Sequence, residues 1–251
     1  MLSKVLLPIV GLALAVLLWS LGVSALEART PIAAAFAPLA TAHAFVELVS
    51  GRDIWLHVML SLKRVGIGLL CAIVVGVPLG ILVAMSTIFS RAATPLFQLL
   101  RMVSPLSWMP LAVMALGVGD APVYFLLAFA ATWPLMLNTV AGVNQLDPNW
   151  LLLARSLSAT RWEVVWRVVL PGITAHILTG VRLAIGIIWI VLVPAEMLGV
   201  SAGLGYFILD TRDRLAYSEL MAAIILIGLL GYLLDYAART AHARWLHAKP
   251  A

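Results

Sequence analysis

The sequence predicts an all-α membrane protein with six spanning helices, and three observations carry that prediction. The chain of 251 residues is 63% apolar and 11% charged, against about 25% charged residues in soluble domains. Its mean hydropathy is +1.08. Its apolar residues also fall in charge-poor runs of about the 20 residues that a bilayer crossing requires. A water-soluble globule of this length could not hide so much apolar side chain. The net charge of +5 therefore has meaning through its placement around the spans rather than as a nucleic-acid signal.

The runs place the spans at residues 5–23, 65–85, 94–116, 122–143, 172–198 and 220–238. The third contains Arg101, the fifth Arg182, and the sixth ends near Asp235. Lys4 ahead of the first run is also compatible with a signal peptide cleaved near Ser24, but the run is long for that, and an uncleaved first span is expected. Residues 24–57 form an outer, periplasmic linker with short helical pieces, and residues 60–240 form the core unit of a single domain over 1–251. Pro105, Pro110 and Pro134 predict bent helices, which a bilayer tolerates where neighbours satisfy the freed carbonyls. With the N-terminus inside, the inner side holds nine Lys and Arg residues against six outside, Lys63 and Arg64 among the outer ones. Both termini then face the cytoplasm. The single cysteine, Cys71, lies in an apolar run and is expected to be a buried structural thiol.

The loop after the fourth span reads QLDPNWLLLARSLSATRWEVVWRVVLPG. Asp147 suits an N-cap and Pro148 a first helical position, so a helix is expected over 149–157. Thr160 followed three residues later by Glu163 forms a capping box, so a second helix starts at Arg161. Pro171 is expected to end or kink it. Ser158 and Ala159 form the elbow between the two. Arg155, Arg161 and Arg167 make this knob basic, which also suits contact with anionic lipid headgroups.

This segment resembles the "EAA" loop of bacterial ABC importer permeases. Ala154-Arg155-Ser156-Leu157-Ser158-Ala159-Thr160-Arg161-Trp162 stands where that family commonly has Ala-Arg-Ser-Leu-Gly-Ala-Ser-Arg-Trp, and Val168-Val169-Leu170-Pro171 supplies the ending. The family's Glu is replaced by Leu152, its first Ala by Leu153 and its Gly by Ser158. Glycine at that elbow serves a left-handed C-cap, so Ser158 is expected to take positive φ or to shift the elbow by one residue. Further stretches are similar to the nitrate, sulfonate and taurine branch, in order, over about 60–240: Ser61-Leu62-Lys63-Arg64-Val65, Ser104-Pro105-Leu106-Ser107-Trp108-Met109-Pro110-Leu111, Leu178 to Gly186, Ala195-Glu196-Met197-Leu198, and Gly203-Leu204-Gly205-Tyr206-Phe207-Ile208. The resemblance implies a type I ABC importer permease-like fold in a bacterial inner membrane. It implies that 147–171 is a cytoplasmic coupling loop, with Leu152, Leu153, Ala154, Arg155, Ser156, Leu157, Ser158, Ala159, Thr160 and Arg161 seated on an ATPase. The implied partners are a second copy of the chain, two ABC ATPase subunits and a periplasmic substrate-binding protein. The implied cargo is a small anion such as taurine, an alkanesulfonate or nitrate.

The chain has no P-loop, since none of Lys4, Lys63 and Lys249 precedes Ser or Thr, so ATP and Mg are expected on the partner ATPase and no cofactor on this chain. No G-x-S-x-G elbow is present, and the five histidines show no metal-ligand spacing. This chain is expected to be a transport subunit rather than an enzyme. Candidate residues for the substrate path are Arg101, Ser104, Trp108, Asn138, Thr139, Arg182 and Glu196, because polar groups inside spans are functional candidates. Arg182 could attract an anion, or it could snorkel at a span end. Glu196 suits a structural hydrogen bond to the loop holding Gly203 and Gly205 better than an anion path. Mixed charges over 203–219 suit a short helix over the outer mouth that docks the binding protein, or an ordinary solvated loop. An ion-coupled secondary transporter would have only Glu196 and Asp235 as coupling carboxylates, and a non-transporting scaffold would need no path at all.

Overall fold

The structure, a computed structural model, describes residues 2–248; Lys249, counted above among the positive residues, lies outside them. The helices are α1 (Leu2–Glu27), α2 (Pro38–Ser50), α3 (Asp53–Met85), α4 (Thr87–Met102), α5 (Met109–Leu116), α6 (Asp120–Asn144), α7 (Pro148–Ser156), α8 (Arg161–Val164), α9 (Leu170–Gly199), α10 (Leu204–Asp213) and α11 (Tyr217–Ala248). Five stretches are long and apolar enough to cross a membrane, and α4 with 105–116 makes a sixth if that bent pair is one span.

Helix α6 is the centre of the bundle, packed between α3 and α9. Small residues set the approach to α3. Gly68, Ala72, Gly76 and Gly80 recur every four residues on one buried face of α3, and a Cβ at Gly76 would stand 2.9 Å from the Thr132 carbonyl oxygen of α6. Close backbone approach through small residues is how helices associate where lipid removes the hydrophobic drive. Leu126, Leu127, Leu135, Ile188 and Leu192 fill the remaining space between the three helices. A second cluster, with Leu48, Ile54, Phe207 and Leu226, ties α2, the start of α3, α10 and α11. Helix α1 packs on the 3-10 turn Pro31–Phe36 and on α2, and most of its apolar side chains are exposed.

Four expectations are corrected. The second span begins at Asp53, not residue 65. Lys63 and Arg64 end the apolar run in sequence, but Arg64 is buried and paired, so the helix continues through it. The third span is not one helix. It breaks between Met102 and Pro105 and turns by 92°, because the residue before a proline is driven out of the helical region; Ser104 sits at φ −57°, ψ 129°. Pro171 does not end the helix before it, which runs on through 161–199. A π turn at Val165–Val169 joins α8 to α9, and its wider ring accommodates the proline one turn on. Cys71 is exposed rather than buried, since α3 turns its small-residue face inward and Cys71 lies off that face. In a span, apolarity does not separate a lipid-facing position from a core one.

Candidate functional site

Three constellations carry chemistry. The first is the elbow at one end of the bundle. The Asp147 side chain accepts from the Asn149 amide at 2.9 Å and starts α7. At its end the Ala159 amide donates to the Ala154 carbonyl at 3.0 Å and the Ser158 amide to the Arg155 carbonyl at 2.9 Å. That pair of bonds is a Schellman closure, which needs a left-handed residue; Ser158 supplies it at φ +56°. The chain then enters a complete capping box. The Thr160 amide donates to Glu163 Oε2 at 2.9 Å, and the Glu163 amide donates to Thr160 Oγ1 at 3.3 Å. Ala154 is buried, while Leu152, Leu153, Leu157, Trp162 and Trp166 are exposed. The side chains of Arg155, Ser156, Thr160 and Arg161 also face outward. A cavity of about 720 Å³, bounded by Leu153, Leu157, Val164 and Arg167, lies under the elbow. A short, rigidly capped knob with a mixed apolar and basic surface can seat in a groove of another protein and transmit force, because both of its ends are fixed by hydrogen bonds.

The second constellation is the break between α4 and α5. It brings together three predicted path residues: exposed Arg101 in the last turn of α4, exposed Ser104 at the break, and half-buried Trp108. The Trp108 ring lies 5.6 Å from Phe129, which lies 5.3 Å edge-on to Trp133. Among the described residues, the indole N–H groups of Trp108 and Trp133 have no hydrogen-bond partner. Phe97 of α4 is 6.0 Å from Trp133, and Trp133 is at the middle of α6, so the break lies at mid-span depth. Broken helices at that depth are where transporters place their sites.

The other predicted path residues are elsewhere. Thr139 is fully buried with its hydroxyl donated to the Leu135 carbonyl at 2.8 Å. Asn138 donates to the Pro134 carbonyl at 2.8 Å beside Gly180 of α9. Arg182 Nε is 3.5 Å from Asp235 of α11, which also holds Arg239, so Arg182 neither snorkels alone nor caps a carbonyl.

The third constellation surrounds Glu196 at the end of the bundle opposite the elbow. Glu196 is fully buried. It accepts from Ser61 Oγ at 2.7 Å, from Arg64 Nη1 at 2.6 Å and from the Gly205 amide at 2.9 Å. The last bond is the one expected from sequence. Arg64 also donates to Asp120 at 2.7 Å and to the Ala202 carbonyl at 2.7 Å. His57 Nδ1 accepts from the Gly203 amide at 2.9 Å. Four helices, α3, α6, α9 and α10, meet here. Gly203 has φ +130°, and a side chain there would collide with Arg64 and Glu196. Sequence reasoning missed Arg64 and Asp120. Ser61, Arg64, Gly68 and Ala72 share a helical face, so the arginine sits on the stripe of small residues that packs inward.

Fold and sites together define a polytopic helical permease unit carrying a capped elbow and a broken span. The chain belongs to the family described as binding-protein-dependent transport system inner membrane component, whose model matches residues 76–247. The family is one of transport permease subunits and not of enzymes. The chain is 32% identical over 236 residues to the nitrate import permease protein NrtB of Synechocystis sp., covering 92% of this chain and 86% of that one. It is 33% identical over 191 residues to the taurine transport system permease protein TauC of Escherichia coli, covering 76% and 70%. Its fold is similar to a chain of the MetNI methionine ABC transporter in inward-facing conformations, with a TM-score of 0.63 at 16% identity over 78% of this chain and 95% of that chain.

Proposed function

We propose that this chain is the membrane-spanning subunit of an ATP-driven, binding-protein-dependent importer of a small anion of the nitrate, taurine or alkanesulfonate type. The capped elbow carries the reading: it is a hydrogen-bond-capped, outward-facing knob, and it belongs to a permease of this family. Two copies face each other, so that the path forms between their broken spans. Each elbow seats on one of two ATPase subunits, which bind ATP and Mg. Both termini and the elbow are then cytoplasmic in a bacterial inner membrane, with lipid around α1 and the outer faces of α3 and α11. A periplasmic binding protein delivers the anion to the face opposite the elbow. ATP-driven closure draws the elbows together and rocks the spans around the mid-depth break.

Proteoliposomes holding the permease with its ATPase and binding protein test this with labelled nitrate and labelled taurine. Uptake that needs ATP, the binding protein and an intact elbow is the expected result. Ion-driven uptake by the permease alone refutes it.

A further inference from the structure

Helix α4 is unlike the other long helices. None of its residues is buried, yet it carries Thr87, Ser90, Arg91, Thr94, Gln98 and Arg101. At 100° per residue these six fall within an arc of about 100°, and the apolar residues take the rest of the circumference. Among the described residues, no carboxylate pairs with Arg91 or Arg101, whereas Arg64 of α3 and Arg182 of α9, the arginines inside the neighbouring spans, each have one. The helix climbs beside α6. Phe97 meets Trp133 at mid-span, and Thr87, Ser90 and Arg91 share a cavity of about 270 Å³ with Val140 and Asn144, towards the elbow end. Trp133, Val140 and Asn144 lie on one face of α6. An arginine stripe turned to hydrocarbon costs several kcal/mol per charge, so such residues face an aqueous path or protein.

The cavity's polar lining is Arg91, Thr87, Ser90 and Asn144, and it holds no carboxylate. None of these four side chains makes a hydrogen bond within the described protein. Serines and threonines farther along the helices instead bond the carbonyl four residues back, as Thr94, Thr132 and Thr139 do. An unpaired guanidinium, two hydroxyls and an amide around a small cleft beside a helix N-terminus are the donors a monovalent oxyanion needs.

We propose that this cavity is a second anion site, on the elbow side of the break, through which the substrate leaves. Arg91 holds the anion, Thr87, Ser90 and Asn144 orient its oxygens, and Thr94 and Gln98 connect the site to Arg101 at the break. The proposal rests on the importer reading above and names a residue set that the reading does not need.

The test uses the complete transporter, with ATPase and binding protein, in phosphatidylcholine proteoliposomes. Uptake of labelled nitrate and taurine is measured beside binding-protein-stimulated ATP hydrolysis for wild type, Arg91→Gln, Arg91→Lys and Asn144→Ala. Arg91→Gln is expected to lower uptake of the transported anion about tenfold or more, the worth of a charge-assisted bond, with hydrolysis within about twofold of wild type. Arg91→Lys recovers most of the uptake and Asn144→Ala is intermediate. Wild-type uptake by Arg91→Gln overturns the proposal, as does a parallel loss of uptake and hydrolysis, which marks a structural role. A defect that appears only when anionic lipid is added assigns Arg91 to headgroup phosphates and also overturns it. Wild type that carries neither of these anions nor a labelled alkanesulfonate overturns the small-anion reading, and this site with it.

Discussion

Replacing Arg64 with leucine removes the only cation from a buried pair. The Arg64 side chain is 4% exposed and that of Glu196 is fully buried. Arg64→Leu leaves Glu196 with the Ser61 hydroxyl and the Gly205 amide but no countercharge. Breaking a buried ion pair from one side costs about 3–5 kcal/mol, because the remaining charge is uncompensated. At about 2–4 °C per kcal/mol for a chain of this size, melting falls by roughly 6–20 °C. Glu196→Gln removes the charge while keeping an acceptor for Gly205, and Arg64 retains Asp120, so its loss is about 1–2 kcal/mol. The double variant Arg64→Leu/Glu196→Leu leaves neither charge stranded and melts above Arg64→Leu alone, which a double-mutant cycle records as coupling. Arg212→Gln is the control, since the Arg212 and Asp213 side chains are 57% and 67% exposed and exposed pairs contribute little. Intrinsic fluorescence from the nine tryptophans follows unfolding in detergent. An Arg64→Leu variant melting within about 2 °C of wild type, alongside Arg212→Gln, refutes the argument that the pair holds this end of the bundle.

Two further outcomes follow from backbone geometry. Ser158→Gly removes the left-handed penalty of about 1 kcal/mol and slows amide exchange at Ala159, whereas Ser158→Val speeds it, because a β-branched residue tolerates positive φ poorly; equal exchange in both variants would show that the elbow does not depend on this residue. Gly76→Ala forces α3 from α6 and costs about 1–3 kcal/mol of stability by overpacking, while Gly66→Ala, with nothing within 4 Å of the added Cβ, leaves melting unchanged or raises it.

What the sequence could show follows the range of the interactions involved. The elbow was legible because its determinants are local: Asp147 bonds two residues on and Thr160 three residues on, and Ser158 occupies a position whose glycine the resemblance supplied. The spans were legible as runs, and Pro105 correctly marked a bend, although the size of the break at Ser104 was not anticipated. The Glu196 network was half legible. Its bond to Gly205 spans nine residues and was expected, but its bond to Arg64 spans 132. Arg64 read as an outer flanking charge because an arginine next to a lysine at the end of an apolar run is the ordinary interfacial pattern. Only its register with Ser61, Gly68 and Ala72 distinguishes it, and that register is informative once the small-residue face is known to be the packed one. Arg91 was legible merely as an inner positive charge, since its lack of a partner and its cavity are properties of the packing.

The continuity of Arg161–Gly199 connects the two ends of the molecule. With a π turn where Pro171 was expected to end or kink the helix, the elbow's second helix and the fifth span run on continuously, and at 1.5 Å per residue about 52 Å of helix separate Arg161 from Glu196. There Glu196 grips α3 through Ser61 and Arg64 and the start of α10 through Gly205, and Arg64 extends the grip to Asp120 at the start of α6. Under the importer reading, this arrangement explains why a carboxylate with no place in an anion path lies fully buried in the fifth span. It ties the far end of the fifth span to α3 and α10 directly, and to the start of α6 through Arg64.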